Sequence, residues 1–460
     1  MAIETITGDL EDALFKELSA FIFAKQEEHG VPGYAVGILH EGKEYLAGFG
    51  ITSTENPVPV DADTLFQIGS ISKTFTATLM MRLVEMGKVE LAAPVRRYIP
   101  DFALQDEEAA AKVTVQDLFT HKAGWVGDIF LDTGWGEDAV AKFVKEMATF
   151  EQLTPLNEVW SYNNASFNLA GRIIEVVSGM TFEHAMQEYI FNPLGMVNAF
   201  YFAHDAITRK VTNGHIGKKV ARPWSLARAS HAAGAICTNV REMMQYARFQ
   251  LGDGTAQSGG RVLNQETMRL MQSALTTASN NSADATGIAW MLREVGGVMT
   301  IGHGGATNGY MAAFYMIPSQ NFAICLLSNS SAGGLLNRDV LKWAYEKFCG
   351  AVEPELNFLD LAEEKLNEYV GAYEAALTRH ELSLKEGVLY WQPSSKGGFP
   401  VKTSPPSTTP PAPVRVAFYA EDKFVALDEP FKDTKSEFLR NSDGTIAWFR
   451  SGGRISRPVK

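Results

Sequence analysis

The stretch Phe66-Gln67-Ile68-Gly69-Ser70-Ile71-Ser72-Lys73-Thr74-Phe75-Thr76-Ala77 decides how the chain is read. Phe75, Leu79 and Leu83 repeat at helical spacing until Gly87, which predicts a buried helix with Ser70 in its first turn. Lys73 then lies one turn on, on the same face, where a hydroxyl and an amine can exchange a proton. Serine is a poor nucleophile until a base takes its proton. An amine serves as that base only when burial or a neighbouring cation lowers its pKa from about 10.4. The helix N-terminus adds backbone donors and a positive dipole end, both of which favour developing negative charge. Alone, S-x-x-K also fits a helix start with a solvated lysine, since a chain of this length carries about one or two such patterns by chance.

Two other stretches complement it. Trp160-Ser161-Tyr162-Asn163-Asn164-Ala165 precedes a run in which Phe167, Ala170, Ile174 and Val177 repeat before Gly179, placing Tyr162 in the loop that enters a helix. A phenol there can share protons with Ser70 and Lys73; a packed tyrosine followed by Asn164 as helix N-cap is the plain alternative. Ile301-Gly302-His303-Gly304-Gly305-Ala306 sits where a strand should begin, and its glycines let another chain or a substrate approach the backbone closely. A backbone N–H from Ala306, paired with that of Ser70, would bind the oxyanion of an acyl-transfer intermediate; a simple turn is the alternative.

Around these stretches the pattern is strands at both ends with helices between. Leu10, Leu14, Leu18 and Ile22 mark an amphipathic helix that stops at His29-Gly30. Gly33 to His40 and Glu44 to Gly50 read as a hairpin turned at Glu41-Gly42-Lys43, and Met311 to Met316 and Phe322 to Leu327 read as two more strands separated by Pro318-Ser319-Gln320-Asn321. The expected architecture is an α/β sandwich: an antiparallel sheet flanked by helices with a helical subdomain, occupying residues 1–352. Residues 353–460 change character. Glu381 to Trp391, Val414 to Tyr419, Lys423 to Leu427 and Thr445 to Arg450 are short strand-like runs that predict a small all-β barrel, interrupted by a proline-rich loop at 403–413.

Taken together and in this order, the three chemical stretches give a chain that resembles the penicillin-recognising serine hydrolases: class C β-lactamases, D-Ala-D-Ala carboxypeptidases, and the esterases and D-aminopeptidases built on that fold. Val115-Gln116-Asp117-Leu118-Phe119-Thr120-His121-Lys122-Ala123-Gly124, Pro193-Leu194-Gly195-Met196 and Ala233-Gly234-Ala235-Ile236-Cys237-Thr238 also look like the family, and the resemblance covers roughly residues 10 to 350. It implies that Ser70 is the acylated nucleophile, Lys73 its proton partner and Tyr162 the residue that relays protons to the leaving group. Asn164 would orient Lys73 and a substrate amide, Ser70 and Ala306 would form the oxyanion hole, and His303, Gly304 and Gly305 would line the substrate strand. Whether Lys73 or Tyr162 first activates Ser70 stays open. The C-terminal part resembles the lipocalin-like domain of some of these hydrolases, opening at Tyr369-Val370-Gly371-Ala372-Tyr373. That domain would shape the mouth of the site, mediate self-association, or simply stabilise the chain.

One departure bears on substrate. Where β-lactamases and peptidases of this kind carry a lysine that holds a substrate carboxylate, this chain carries His303. A neutral imidazole weakens that clamp and shifts the expectation toward a small ester, amide or peptide. β-Lactam hydrolysis, carboxypeptidase action and acyl transfer remain alternatives. A non-catalytic ligand-binding sensor of the same fold is the reading from another class, disfavoured because Ser70, Lys73, Tyr162 and Asn164 are all present.

Composition sets the outer bounds. The chain has 460 residues, is 46% hydrophobic and 20% charged, and has a formal net charge of −12. Such a chain can bury a large core, and it repels phosphate backbones and anionic membranes, so neither nucleic acid nor membrane is an expected partner. The apolar patch Phe21 to Ala24 follows an acidic stretch and does not resemble a signal peptide. Cys237, Cys325 and Cys349 are odd in number and form no C-x-x-C pair. A cytoplasmic location follows as the expectation, with an exported mature chain as the alternative, and homo-oligomer formation is left open. His121, His215 and His231 lack metal-ligand spacing and read as satisfied structural histidines, so no metal and no cofactor are expected. Trp125, Trp135 and Trp224 fall in candidate loops, where they would line an apolar substrate site or serve as packing.

Overall fold

The computed structural model describes residues 4–7, 12–280, 283–406 and 409–459. At its centre is a nine-stranded antiparallel sheet. Its strands run, in spatial order, Glu4–Thr7, Lys43–Gly50, Gly33–His40, Phe322–Ser328, Tyr310–Ile317, Val298–Thr307, Met291–Val295, Ala283–Thr286 and Thr276–Asn280. The expected hairpin is present: His40 faces Lys43, and Glu41 and Gly42 both turn with positive φ. Pairing of Phe322–Ser328 with Gly33–His40 joins the early hairpin and the later strands in one sheet.

Alternation along the strands explains why both faces are covered. Tyr34, Val36, Ile38, Ile324 and Leu326 point one way, into a cluster with Phe15, Leu18 and Ile22 of helix Ala13–His29 and Leu336, Val340 and Ala344 of helix Gly333–Cys349. Ala35, Leu39, Ala323, Cys325 and Leu327 point the other way, into the main core with the helices Ser72–Glu85, Ala165–Ser178 and Val240–Leu251. Full burial of side chains such as Phe15, Leu18 and Ile22 contributes about 1.5–3 kcal/mol each. The first helix starts where the Asp12 carboxylate accepts the Leu14 and Phe15 N–H groups, and ends where Gly30 turns left-handed; Leu10 lies outside the described residues.

The C-terminal part is a closed eight-stranded barrel, sealed by pairing of Gly371–Glu374 with Arg454–Val459. Tyr369, Tyr373, Trp391, Phe418, Phe424, Phe438 and Phe449 fill its interior. The run read as Glu381 to Trp391 is two strands, Thr378–Lys385 and Val388–Ser395, because Glu386-Gly387 makes a tight turn of positive φ. The sequence reading did not anticipate the strands Lys435–Arg440 and Arg454–Val459. The proline-rich segment bridges Val388–Ser395 and Val414–Ala420, and just before it Lys402 N–H donates to the Phe130 carbonyl while Phe399 meets Phe130 edge to face. Among the described residues, no helix is long and apolar enough to cross a membrane.

Candidate active site

The nucleophile turn is built by close backbone approach. Gly69–Ile71 forms one 3-10 turn before the α-helix Ser72–Glu85, so Ser70 sits just ahead of the regular helix rather than inside it. Gly69 has φ +54°, and a Cβ there would lie 2.5 Å from the Ala306 nitrogen; a Cβ on Gly305 would strike the Ile68 carbonyl oxygen. These two glycines let strand Val298–Thr307 close onto the turn. Its residues 303–307 pair with Tyr310–Phe314 on one side but run past the end of Met291–Val295 on the other, and there the Ser70 turn takes up the space. The turn that carries Ser70 and the strand end that carries Ala306 are thereby brought side by side.

Lys73 is fully buried. Its Nζ lies 2.9 Å from Ser70 Oγ and donates to the Ala233 carbonyl at 2.5 Å. The segment carrying Ala233 is tied to the nucleophile helix, because Thr76 Oγ1 donates to the Ala232 carbonyl and Ile236 N–H donates to Ser72 Oγ. Burial holds the Lys73 pKa well below the ordinary lysine range, and repulsion from Arg454 adds to this against an opposing pull from Asp128. A neutral amine beside a serine hydroxyl can accept its proton.

Tyr162 is 7% exposed and hydrogen-bonds with Ser70, its pKa pushed up mainly by burial. Its hydroxyl lies 3.5 Å from His303 Nε2. His303 Nδ1 lies 2.5 Å from the Gly304 carbonyl, which can only accept, so Nδ1 carries the hydrogen and Nε2 presents a lone pair to Tyr162. Burial is the main cause that pulls the His303 pKa down to about 3, with the Arg454 charge adding to it. The imidazole is therefore neutral near pH 7 and cannot act as the cation that a lysine would supply.

Asn164 neither caps the helix with its side chain nor bonds Lys73. It occupies the cap position of helix Ala165–Ser178 without a side-chain capping bond, and Asn163 caps instead by accepting the Ser166 N–H at 2.9 Å. Asn164 Nδ2 donates to Asp128 Oδ1 at 2.6 Å. Among the described residues, the hydrogen-bond partners of the Lys73 amine are Ser70 and Ala233, and Asn164 is not one of them.

The barrel supplies residues that sequence reasoning missed. Its last hairpin places the Arg454 guanidinium 4.3 Å from the Tyr162 ring centroid, and Arg454 Nε donates to Asp128 Oδ2 at 3.0 Å. The Gly453 carbonyl accepts the Tyr162 N–H at 2.8 Å. Arg450, buried against Glu437, donates to the Trp160 carbonyl at 2.7 Å. Ser451-Gly452-Gly453-Arg454 carries a hairpin signal in the sequence, but nothing local says what the turn touches.

The remaining singled-out residues divide. His215 has both ring nitrogens engaged, by the Thr54 N–H and the Asn329 carbonyl. His121 and His231 each keep Nε2 buried without a partner, contrary to the expectation of satisfied histidines. Trp125 belongs to the main core, Trp224 donates to Tyr310 Oη and the Thr212 carbonyl, and Trp135 is half exposed. Among the described residues, no group of three His, Cys, Asp or Glu side chains is placed to hold a metal ion.

Known proteins are similar to this chain in sequence and in fold. The chain is 31% identical over 342 residues to a protein named Penicillin-binding protein 4 from Amycolatopsis lactamdurans, covering 72% of this chain and 90% of that one. In fold it is similar to the crystal structure of SurE with D-Leu, at TM-score 0.73 and 23% identity over 97% of this chain and 100% of that chain. It is likewise similar to the octameric penicillin-binding protein homologue from Pyrococcus abyssi, at TM-score 0.65 and 22% identity over 93% of this chain and 97% of that one. A family model described as Beta-lactamase matches residues 12–343, and the chain belongs to that family of serine hydrolases.

Proposed function

We propose that residues 1–352 form a serine hydrolase unit that acts through a covalent acyl-enzyme at Ser70 on a small ester, amide or short peptide, with residues 353–460 as a barrel that completes the site. The observation that carries this reading is the fully buried Lys73 amine 2.9 Å from Ser70 Oγ. A lysine held neutral in this position has the work of a base.

In the proposed reaction Ser70 Oγ attacks the substrate carbonyl as its proton passes to the Lys73 amine. The N–H groups of Ser70 and Ala306 receive the oxyanion, a kind of contact whose single donors are worth about 10²–10³ in rate elsewhere. The bond to the leaving group then breaks, and the proton on Lys73 reaches that group through the Tyr162 hydroxyl, which burial keeps protonated. Water attacks the acyl-enzyme along the reverse route, releasing the acid and restoring Ser70. The neutral His303 accepts from Tyr162 rather than binding a carboxylate, which supports substrates that lack one.

Acylation by a β-lactam is a second reading, favoured by the 31% identity to a protein named for penicillin binding. Labelling with a fluorophosphonate tests the common step. Wild type should be labelled at Ser70 and Ser70→Ala should not be; persistent labelling on another serine would reject the assignment.

A further inference from the structure

The stretch around His121 was singled out in the sequence, and the proposed chemistry leaves it without work. Its geometry is unusual in three respects. The His121 backbone is left-handed, with φ 59°, where residues with a Cβ seldom sit. Nδ1 accepts the Asn163 N–H at 3.0 Å, so the hydrogen of the neutral ring is on Nε2, and that atom is buried without a partner. The ring is also stacked on Tyr162, with centroids 4.4 Å apart and planes at 27°.

The contacts converge on one residue. The His121 carbonyl accepts the Ser161 N–H at 2.9 Å, which fixes the backbone on the N-terminal side of Tyr162. The Nδ1 bond fixes the peptide on its C-terminal side, and the imidazole covers the phenol ring between them. Trp160 and Phe167 close the pocket around the imidazole, at 5.7 and 5.6 Å. A strained backbone and an unpaired buried N–H are costs that plain packing does not explain, and such costs gather where function fixes a geometry.

We propose that His121 is a positioning residue that holds Tyr162 dry and aimed at Ser70 and His303. This rests on the acyl-enzyme reading above for the role of Tyr162, though not for the hold itself. The charged and titratable groups facing the phenol are Lys73, Arg454, Asp128 and His303, besides Ser70 and His121, and none of them changes when His121 is replaced. Loss of the imidazole therefore changes packing and water access around the phenol, not the set of charges facing it.

Two variants tolerate the left-handed backbone: His121→Gly removes both ring and acceptor, and His121→Asn keeps a short acceptor but no ring. With 4-nitrophenyl acetate, His121→Gly should lower kcat about 100-fold with KM within about threefold, and His121→Asn should lose about tenfold less. A second readout does not depend on turnover. Ultraviolet titration, with each protein differenced against its Tyr162→Phe partner, should show no Tyr162 ionisation up to pH 11 in the wild type and ionisation beginning at lower pH in His121→Gly. The proposal is overturned if Tyr162 titrates identically in both backgrounds, or if kcat falls only in proportion to the unfolded fraction seen by circular dichroism. Ester turnover that survives Ser70→Ala would instead reject the acyl-enzyme reading, and the titration would still decide the role of His121.

Discussion

The Ser70 turn and the Arg454 hairpin meet at the same side chains, yet they reach the site in opposite ways. Ser70 and Lys73 are three residues apart, and helical spacing alone puts them on one face. Arg454 arrives from the far end of the chain on a barrel turn, fixed to Tyr162 and Asp128 by contacts that only the folded chain creates. In the proposed reaction the first region contains the reacting atoms. The second tunes them, since the Arg454 charge helps to keep Lys73 free of its proton. The proposed chemistry is locally encoded, while its electrostatic setting includes a residue of the barrel.

The largest expected effect breaks the local half of this comparison. Lys73→Met should lower kcat/KM for 4-nitrophenyl acetate by about 10³-fold or more, as loss of a catalytic base does elsewhere. The same variant should raise the thermal unfolding midpoint, because an apolar side chain of similar length replaces a buried amine. A fall in both would mean that Lys73 is chiefly structural.

The barrel half is tested next. Arg454→Met removes a cation that repels a proton from Lys73 and leaves the Asp128 carboxylate uncompensated, so both changes raise the Lys73 pKa. The acid limb of kcat/KM should move to higher pH, and activity on that limb should fall by about tenfold for each pKa unit gained. An unchanged pH profile would make the barrel a passive neighbour.

Acid stability gives a smaller signal that samples both regions. His303 in the site has a pKa near 3, and His380 in the barrel, which accepts from Trp391 Nε1, has one near 4; burial is the leading cause in both. The unfolded chain takes up these protons below about pH 6.5, and the folded protein does not until the lower values are reached. Stability is thus fully present above pH 6.5 and lost as pH falls toward 3–4, each histidine contributing up to about 1.4 kcal/mol per pH unit in that window. Urea melts from pH 7 to pH 4 should show this slope, and His380→Phe should flatten the barrel's share alone.

The smallest effect concerns a cap. Asn163→Ala should destabilise by about 0.5–2 kcal/mol through loss of the bond from Ser166 N–H, a change visible in thermal melting.

How much of this was legible from sequence follows from the range of the interactions. The two hairpin strands, the Ser70 helix and the Tyr162 loop were readable because period, turn residues and apolar spacing are local signals. The barrel was expected, but the runs from Lys435 and Arg454 were missed because charged residues interrupt the apolar alternation in both and a proline breaks the second. Asn163 and Asn164 are adjacent, and only packing decides which of them caps the helix and which turns to Asp128. Asp128, Arg454 and His121 act at the site through contacts far apart in the chain or through rings stacked in the core, and none of these has a signature in spacing.

The central claim is that Ser70 carries the acyl group. Intact-mass spectrometry of wild type and Ser70→Ala, after brief mixing with 4-nitrophenyl acetate and separately with benzylpenicillin, tests it most directly. The expected result is an acyl adduct, or rapid ester turnover, in the wild type and neither in Ser70→Ala. An adduct that survives in Ser70→Ala, or a wild type inert to both reagents, would contradict it.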